Sequence, residues 1–335
     1  MKFTKKFLLL LFLFCSVFSL ALACTDELTV HFIDVGQGDS VLIQTPSQNI
    51  LIDGGERSAG PTVVKYLQDQ GVNKLDLVIS THPHSDHIGG LINVLKAFPV
   101  KEVIDPAIIH TTKTFEDYLT LIDQKNIIFT PGRAGMHREL DDGISMFIHH
   151  PTKPSNAHLN DASIVARIEF NQVSFLFTGD AEAISEMEML SNDAVLQSTI
   201  LKVGHHGSTS STSRIFLDTV DPAVAIIMVG TENKYNHPHT EIISRLQKNK
   251  VDIYQTDLHG TIVVSTDGKT YNIKTEHHLE TEGQFVGSIK SDKYHYPNCE
   301  NAKTIQPHNL IWFSSVAEAK KAGYKPCGGC KPPSK

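Results

Sequence analysis

The sequence predicts an α/β protein with a small metal-held module at its C-terminal end. Three observations lead there. Short β-rich runs bounded by Gly and Pro alternate with stretches of helical spacing over most of the 335 residues. Clusters of histidine, aspartate and glycine follow several of those runs. The 5 cysteines lie only near the two ends of the chain, the last two as a C-x₂-C pair. The length allows two domains, or one large domain with a small companion. A 40% hydrophobic content with charges of both signs excludes a multi-span membrane protein and a disordered chain.

The first element is an address. Lys2, Lys5 and Lys6 precede an apolar run from Phe7 to Phe14, and small residues continue to Ala23. That is the pattern of a secretory signal peptide over residues 1–23, with a run short for a bilayer-spanning anchor. Leu20-Ala21-Leu22-Ala23-Cys24 resembles a bacterial lipobox, in which Cys24 carries the lipid and anchors the protein to a membrane. Ala21-Leu22-Ala23 also satisfies the ordinary A-x-A rule, which releases a free secreted protein. Both routes lead out of the cytoplasm.

Leu28–Ile33, Ser40–Gln44 and Asn49–Ile52 then read as strands. Thr62–Gln70 has helical spacing, and Leu75–Ser80 is an apolar strand ending in Thr81-His82-Pro83. A helix is expected over Gly89–Ala97. Further strands are expected at Ile144–His149, Ser163–Phe170, Val173–Phe177, Ile200–Val203, Val224–Met228 and Gly260–Ser265. The polar stretch Thr275–Gly283 reads as a linker. The large domain thus spans 25–275, the linker 276–284 and the C-terminal module 285–335.

Directly after Leu75–Ser80, the residues His82, His84, Asp86 and His87 crowd into one short loop. Imidazoles and a carboxylate at that density suit a divalent cation, which needs several preformed N and O ligands. The loop, His82-x-His84-x-Asp86-His87, resembles the signature of the metallo-β-lactamase superfamily. Asp34-Val35-Gly36-Gln37-Gly38-Asp39-Ser40, Asp53-Gly54-Gly55, Thr178-Gly179-Asp180, His205-His206-Gly207-Ser208 and Asn236-His237-Pro238 follow the same order as in the competence-type hydrolases of that superfamily.

This resemblance covers roughly residues 28–273 and implies an αββα sandwich. It implies that His82 and His84 hold one metal, that Asp86 and His87 hold a second, and that Asp180 bridges the two. Asp53 would orient the loop from behind, and Asp86 would also act on the nucleophilic water. The last ligand to the second metal is expected at His205, with His206 next to substrate, although spacing does not separate these neighbours. One position departs from the pattern. Many superfamily members place a histidine ahead of the bridging aspartate, whereas here His158-Leu159-Asn160-Asp161-Ala162-Ser163 puts His158 out of register. The first metal is then held by two histidines and Asp180, with His158 and Asn160 as further candidates. Such a site takes Mn²⁺ as well as Zn²⁺.

The expected chemistry is hydrolysis by a water activated between two metals. His237 is a candidate catalytic group beside a phosphate. Ser208 and the hydroxyls through Ser211 suit phosphate oxygens, and suit a capped helix start equally well. Gln37 and Asp39 either shape a Gly-flanked turn or point toward the metals. The remaining histidines of the large domain show no ligand spacing.

In the tail, Cys299, Cys327 and Cys330 remain. Export favours disulfides, but three is odd, and Cys327-Gly328-Gly329-Cys330 with His295 and Cys299 completes a Cys₃His zinc set with no open position. The tail resembles the zinc domain of Ada-type DNA methyl-phosphotriester repair proteins. In that family the position of His295 is a methyl-accepting cysteine, so the resemblance implies the fold and a DNA-contacting surface without self-methylation.

Charge divides along the same boundary. Residues 284–335 hold 8 lysines, no arginine and the acids Asp292, Glu300 and Glu318, a net +5. The signal carries +3, which leaves −15 for residues 25–283 within a total of −7. The expected function is an exported metal-dependent phosphodiesterase acting on DNA, with two active-site Zn²⁺ or Mn²⁺ ions and one structural Zn²⁺. The other readings are a hydrolase of small-molecule or cell-wall esters, of phosphocholine esterase or lactamase type, and a non-catalytic DNA-binding lipoprotein.

Overall fold

A computed structural model describes residues 27–231, 233–277, 283–306 and 309–334. The signal segment 1–23, Cys24 and linker residues 278–282 lie outside the described residues. Among the described residues, no helix is long and apolar enough to cross a membrane.

Two sheets stack face to face with helices on both outer sides, the expected αββα sandwich. One sheet has eight strands, in the order Tyr271–Thr275, Ile262–Thr266, Leu28–Phe32, Val41–Gln44, Asn49–Ile52, Leu77–Ile79, Glu102–Asp105 and Ile128–Pro131. The other has seven, in the order Asp252–Gln255, Val224–Ile227, Ile200–Lys202, Val173–Phe177, Val165–Phe170, Ile144–His150 and His137–Asp141. Each sheet is antiparallel on one side and parallel on the other.

The period-2 alternation of strand side chains produces the layers. In Asn49–Ile52, Ile50 and Ile52 enter the core between the sheets, while Leu51 packs under the outer helices with Val63, Leu67 and Leu91. In Val173–Phe177, Phe175 and Phe177 enter the same central core, and Leu176 packs toward Met189, Phe216 and Leu246 on the opposite outer side. Strands buried on both faces are continuously apolar, which is why these runs were legible as strands.

The expected helix over Gly89–Ala97 forms at Leu91–Ala97, and a separate helical turn, Ser85–Ile88, precedes it across a break at Gly89 and Gly90. The break follows from a close backbone crossing. A Cβ at Gly90 would stand 1.8 Å from the carbonyl oxygen of Gly54, so only glycine lets the loop carrying Asp53 touch the helix carrying His87. The first residues of the stretch read as a linker pair with the sandwich. The Glu276 and His277 amides still donate to the carbonyls of Thr261 and His259.

The C-terminal module has a four-stranded sheet in the order Leu310–Phe313, Phe285–Ser288, Lys293–His295 and Lys325–Pro326. Its core is small: Phe285, Tyr294, Phe313 and Ala319 on one side, and Val286, Ala302, Cys299 and Cys327 on the other.

Candidate metal centre

The loops at one end of both sheets converge. Asp53 follows the strand Asn49–Ile52 with a left-handed backbone (φ 57°) and is fully buried. Its carboxylate accepts hydrogen bonds from the Thr81 amide (2.8 Å), the Thr81 hydroxyl (2.6 Å) and His87 Nδ1 (2.8 Å). One side chain thereby fixes where the histidine loop leaves its strand and aims Nε2 of His87 into the cleft. This is how a metal-ligating imidazole is usually oriented from behind. Gly38 closes the other side, since a Cβ there would meet the Asp86 carbonyl oxygen at 2.2 Å.

Asp180 lies at the centre, two residues beyond the Thr178 that follows Val173–Phe177. Its Oδ2 is 3.3 Å from His87 Nε2, 3.8 Å from His82 Nε2 and 3.7 Å from His205 Nε2. Its Oδ1 is 3.6 Å from His206 Nε2, which is also 3.6 Å from Asp86 Oδ2. On the far side, His82 Nε2 and His84 Nδ1 approach to 2.9 Å. The clusters that could hold a cation thus overlap around one carboxylate: His82, His87 and Asp180; Asp86, His87 and His206; and Asp39, Asp180 and His206.

Nε2 of His87, Nε2 of His206 and Oδ1 of Asp180 are buried with no hydrogen-bond partner. Burying polar atoms unpaired is costly. Three such atoms facing one another fit a divalent cation better than any protein contact in the structure. The buried carboxylates also call for positive charge at this spot. Burial opposes ionisation of Asp180, yet His206 and His87 beside it hold its carboxyl well below the usual range. Burial would lower His206, but Asp180 and Asp39 more than offset this and lift it to about 9. His82 is pushed well below its ordinary value by burial and by the charge on His87.

The adjacent histidines differ in burial. His205 and His206 both adopt left-handed backbone (φ 47° and 53°), an arrangement uncommon for two non-glycine residues in succession. This turns His206 inward, where it is 1% exposed and its Nδ1 donates to the Met228 carbonyl at 2.9 Å. His205 is half-buried and keeps its Nε2 toward Asp180. Its Nδ1 meets Ser210 Oγ (3.0 Å) and Glu182 Oε1 (3.1 Å). His206 is thus the more buried of the two and the one that joins the clustered ligand atoms, while His205, expected as the last ligand, lies beside Asp180 at the edge of the cluster.

Other expected residues scatter. His158 is exposed and joins none of the clustered side chains among the described residues. Asn160 is half-buried and donates to Glu182 Oε1 at 3.1 Å. Ser208 Oγ contacts Ser210 Oγ, Ser210 Oγ donates to Glu182, and Ser211 Oγ donates to the Ala181 carbonyl. These hydroxyls therefore brace the loops, whereas the cap of the helix Arg214–Val220 is Ser213. His237 sits at the rim, its ring 5.6 Å from that of His205. Burial and His205 push it down to about 4, so it is neutral at neutral pH.

Asp39 turns inward. It pairs with Lys202, and its Oδ1 is 3.4 Å from His206 Nδ1. Lys202 was missed by sequence reasoning. It is 2% exposed and also donates to the Gly179 carbonyl at 3.0 Å. The signal was present, because a lysine inside Ile200-Leu201-Lys202-Val203 contradicts an otherwise buried strand.

A second cluster lies in the C-terminal module. The ligand atoms of His295, Cys299, Cys327 and Cys330 all lie within 4.8 Å of one another, and no disulfide links the cysteines. Burial would raise the Cys327 thiol, but the backbone amides of Cys330 and Gly329 bring it to about 7. Amides directed at sulfur favour the thiolate that a metal binds.

Removing the Asp53 carboxylate tests the support of the main cluster. Asp53→Ala leaves a buried imidazole and two loop donors unpaired, with an expected stability loss of roughly 3–5 kcal/mol. Chemical denaturation reads it directly. A loss of only about 1 kcal/mol, the worth of one ordinary hydrogen bond, would contradict this role.

Comparison with known proteins follows the same division. A profile described as the metallo-beta-lactamase superfamily matches residues 33–230, and one described as the metal binding domain of Ada matches residues 270–333. ComE operon protein 3 of Bacillus subtilis (strain 168) is 31% identical over 256 residues, covering 71% of this chain and 33% of that protein. Recombination protein 2 of Haemophilus influenzae is 34% identical over 242 residues, covering 70% of this chain and 28% of that protein. Competence protein ComA of Neisseria gonorrhoeae is 30% identical over 239 residues, covering 71% and 32%. The chain spans about a third of the length of these curated relatives.

Proposed function

Because the chain belongs to the metallo-β-lactamase superfamily and carries an Ada-type zinc-binding domain behind its hydrolase domain, we propose that it is an exported metal-dependent phosphodiesterase that cuts DNA. The observation that carries this reading is Asp180, whose Oδ2 faces His82 and His87 and whose Oδ1 faces His206. Two cations held side by side suit an in-line displacement at phosphorus. The substrate class is supported by charge, since the acidic hydrolase domain is joined to a tail of net +5. Two relatives are named for competence and for recombination. Export is supported by the basic start, the apolar run and the Leu20–Cys24 lipobox, which would tether the enzyme to a membrane through Cys24.

In this reading His82, His84 and Asp180 hold one cation, and Asp86, His87, His206 and Asp180 the other. Bound there, Zn²⁺ or Mn²⁺ lowers the pKa of a water toward neutrality and offsets charge on the phosphoryl oxygens. The protein residues do the rest. Asp53 keeps His87 in the tautomer that presents a free Nε2. Lys202 neutralises Asp39, which faces the Nδ1 side of His206. Asp86, partly open to the cleft and held ionised, accepts a proton at its carboxylate from the attacking water. His237, neutral and at the rim, offers an N–H to a non-bridging phosphate oxygen.

Incubating purified protein with single- and double-stranded DNA in Mn²⁺ or Zn²⁺ tests the activity. A metal-loaded protein that leaves all DNA intact sinks the nuclease reading. Parallel panels of phosphocholine esters and β-lactams identify the substrate in that case. For the ligand assignment, His206→Ala should lower catalytic-domain metal content and activity by on the order of 100-fold, in the range of single electrostatic contributors to catalysis. His205→Ala should keep the metals and lose less. The reverse order would restore His205 as the ligand.

A further inference from the structure

The rim segment between Asn233 and His239 carries more than His237. Asn233 acts as its staple, with its side-chain amide donating to the carbonyls of Gly230 (2.9 Å) and His237 (2.6 Å). Its Oδ1 accepts from the amides of Tyr235 (3.2 Å) and His237 (2.9 Å). All the polar capacity of one side chain is thus used to hold a short exposed turn in one shape. The residue displayed on that turn is Tyr235, 47% exposed, with its ring stacked on His237 at 5.6 Å between centroids and 23° between planes. His237 in turn lies 5.6 Å from the ring of His205 and 6.4 Å from that of His206. An aromatic side chain on an anchored turn is therefore presented one ring away from His205 and His206.

An exposed tyrosine in a mobile loop needs no explanation. A tyrosine displayed on a turn that Asn233 anchors with four hydrogen bonds, at the mouth of the metal cluster, does, because ordering that turn costs conformational entropy and exposes the ring to water. The cations nearby indicate what it meets. Lys234 Nζ lies 4.9 Å from the Tyr235 ring centroid. A cleft of about 620 Å³ runs beside the turn, lined by Asn236, His237, His239, Asp257 and, from the C-terminal module, Lys290. A quaternary ammonium headgroup would meet like charge at this ring. A flat aromatic group followed by phosphates would not, because the exposed Lys234 can turn from the ring face to the adjacent phosphate. Bases stack on aromatic side chains without regard to sequence, whereas a base inside a duplex has no free face.

We propose that Tyr235 is a stacking platform for an unpaired nucleobase, with Lys234 and Lys290 engaging the flanking phosphates, so that single-stranded nucleic acid is the substrate of this site. The proposal rests on the phosphodiesterase reading for what happens next, but binding can be measured apart from cleavage. The probes are a short single strand, the same strand with abasic sites and the matching duplex. Binding is followed by fluorescence anisotropy to the full-length protein in an Asp86→Ala background. The single strand should bind more tightly than the duplex. Tyr235→Ala should weaken the single strand roughly 10-fold, within the range for loss of one base–aromatic stack. It should change binding of the abasic strand less than about twofold, since only phosphate contacts remain there. Tyr235→Trp should restore affinity, a result that a purely structural role does not produce. Equal losses on both strands, no loss on either, or preference for the duplex overturns the platform. A protein that shows the base-dependent loss yet cleaves nothing when metal-loaded refutes the phosphodiesterase reading alone. Cleavage of single strands with an inert Tyr235→Ala refutes the platform alone.

Discussion

Asp180→Ala is expected to lower kcat/KM on a phosphodiester by on the order of 1,000-fold or more, because several kcal/mol of charge stabilisation depend on both cations being held. The Asp180 carboxylate reaches histidines on both sides of the cluster. Its Oδ2 serves His82 and His87, and its Oδ1 faces His206. Asp180→Asn keeps the shape of the residue but removes the negative charge that offsets two divalent ions, so it should fall nearly as far. Metal analysis of the same variants should show the hydrolase domain depleted while the tail keeps its zinc. Activity within about tenfold of the parent, a change of only 1.4 kcal/mol in the barrier, would mean that Asp180 is not the shared ligand.

Cys327→Ser is expected to unfold the C-terminal module while leaving the sandwich intact. Structural zinc contributes roughly 10–16 kcal/mol to small metal-held domains. The apolar core here cannot replace that contribution, being built around Phe285, Tyr294, Phe313 and Ala319. Hydrogen exchange is the suitable measurement. Amides in Phe285–Ser288 and Leu310–Phe313 should lose protection, and those in Val173–Phe177 should keep it. The variant should also bind one zinc fewer per chain. A module that stays protected without metal would remove the case for a structural zinc site. Because Lys290 lines the cleft beside Tyr235, the same variant should weaken binding of the single strand in its abasic form as well.

Much of the centre was legible because its chemistry is dense along the chain. Four potential ligands within His82–His87 have no plausible role in a core, and Asp53 and Asp180 each follow a run too apolar to be anything but a buried strand. The C-terminal cluster was legible for a similar reason. Cys327 and Cys330 form one tight turn, and an odd number of cysteines left His295 as the natural fourth ligand. The illegible parts all depend on direction. His205 and His206 are adjacent and identical in type, so spacing carries nothing about which one faces inward. His158 has a suitable separation from Asp180 yet lies on the surface. Ser208 to Ser211 have the composition of a helix start and instead tie the loops together. The pair of Asp39 and Lys202 joins distant parts of the chain, and each residue alone resembles an ordinary turn or surface residue.

The sequence by itself determined the layered α/β architecture, the two metal-binding modules and the residue types that serve them. These follow from local properties: the period of apolar residues, glycine and proline at turns, and the number of N, O and S ligands in a short segment. Only the tertiary structure decided which atoms meet. The left-handed turn at His205 and His206, the closure of Gly90 against Gly54, the burial of Lys202 and the display of Tyr235 on its asparagine staple are settled by contacts between segments far apart in the chain. Backbone dihedrals at a few loop residues respond to those contacts, and a rotation there moves a side chain from solvent to the metal cluster without changing any local pattern.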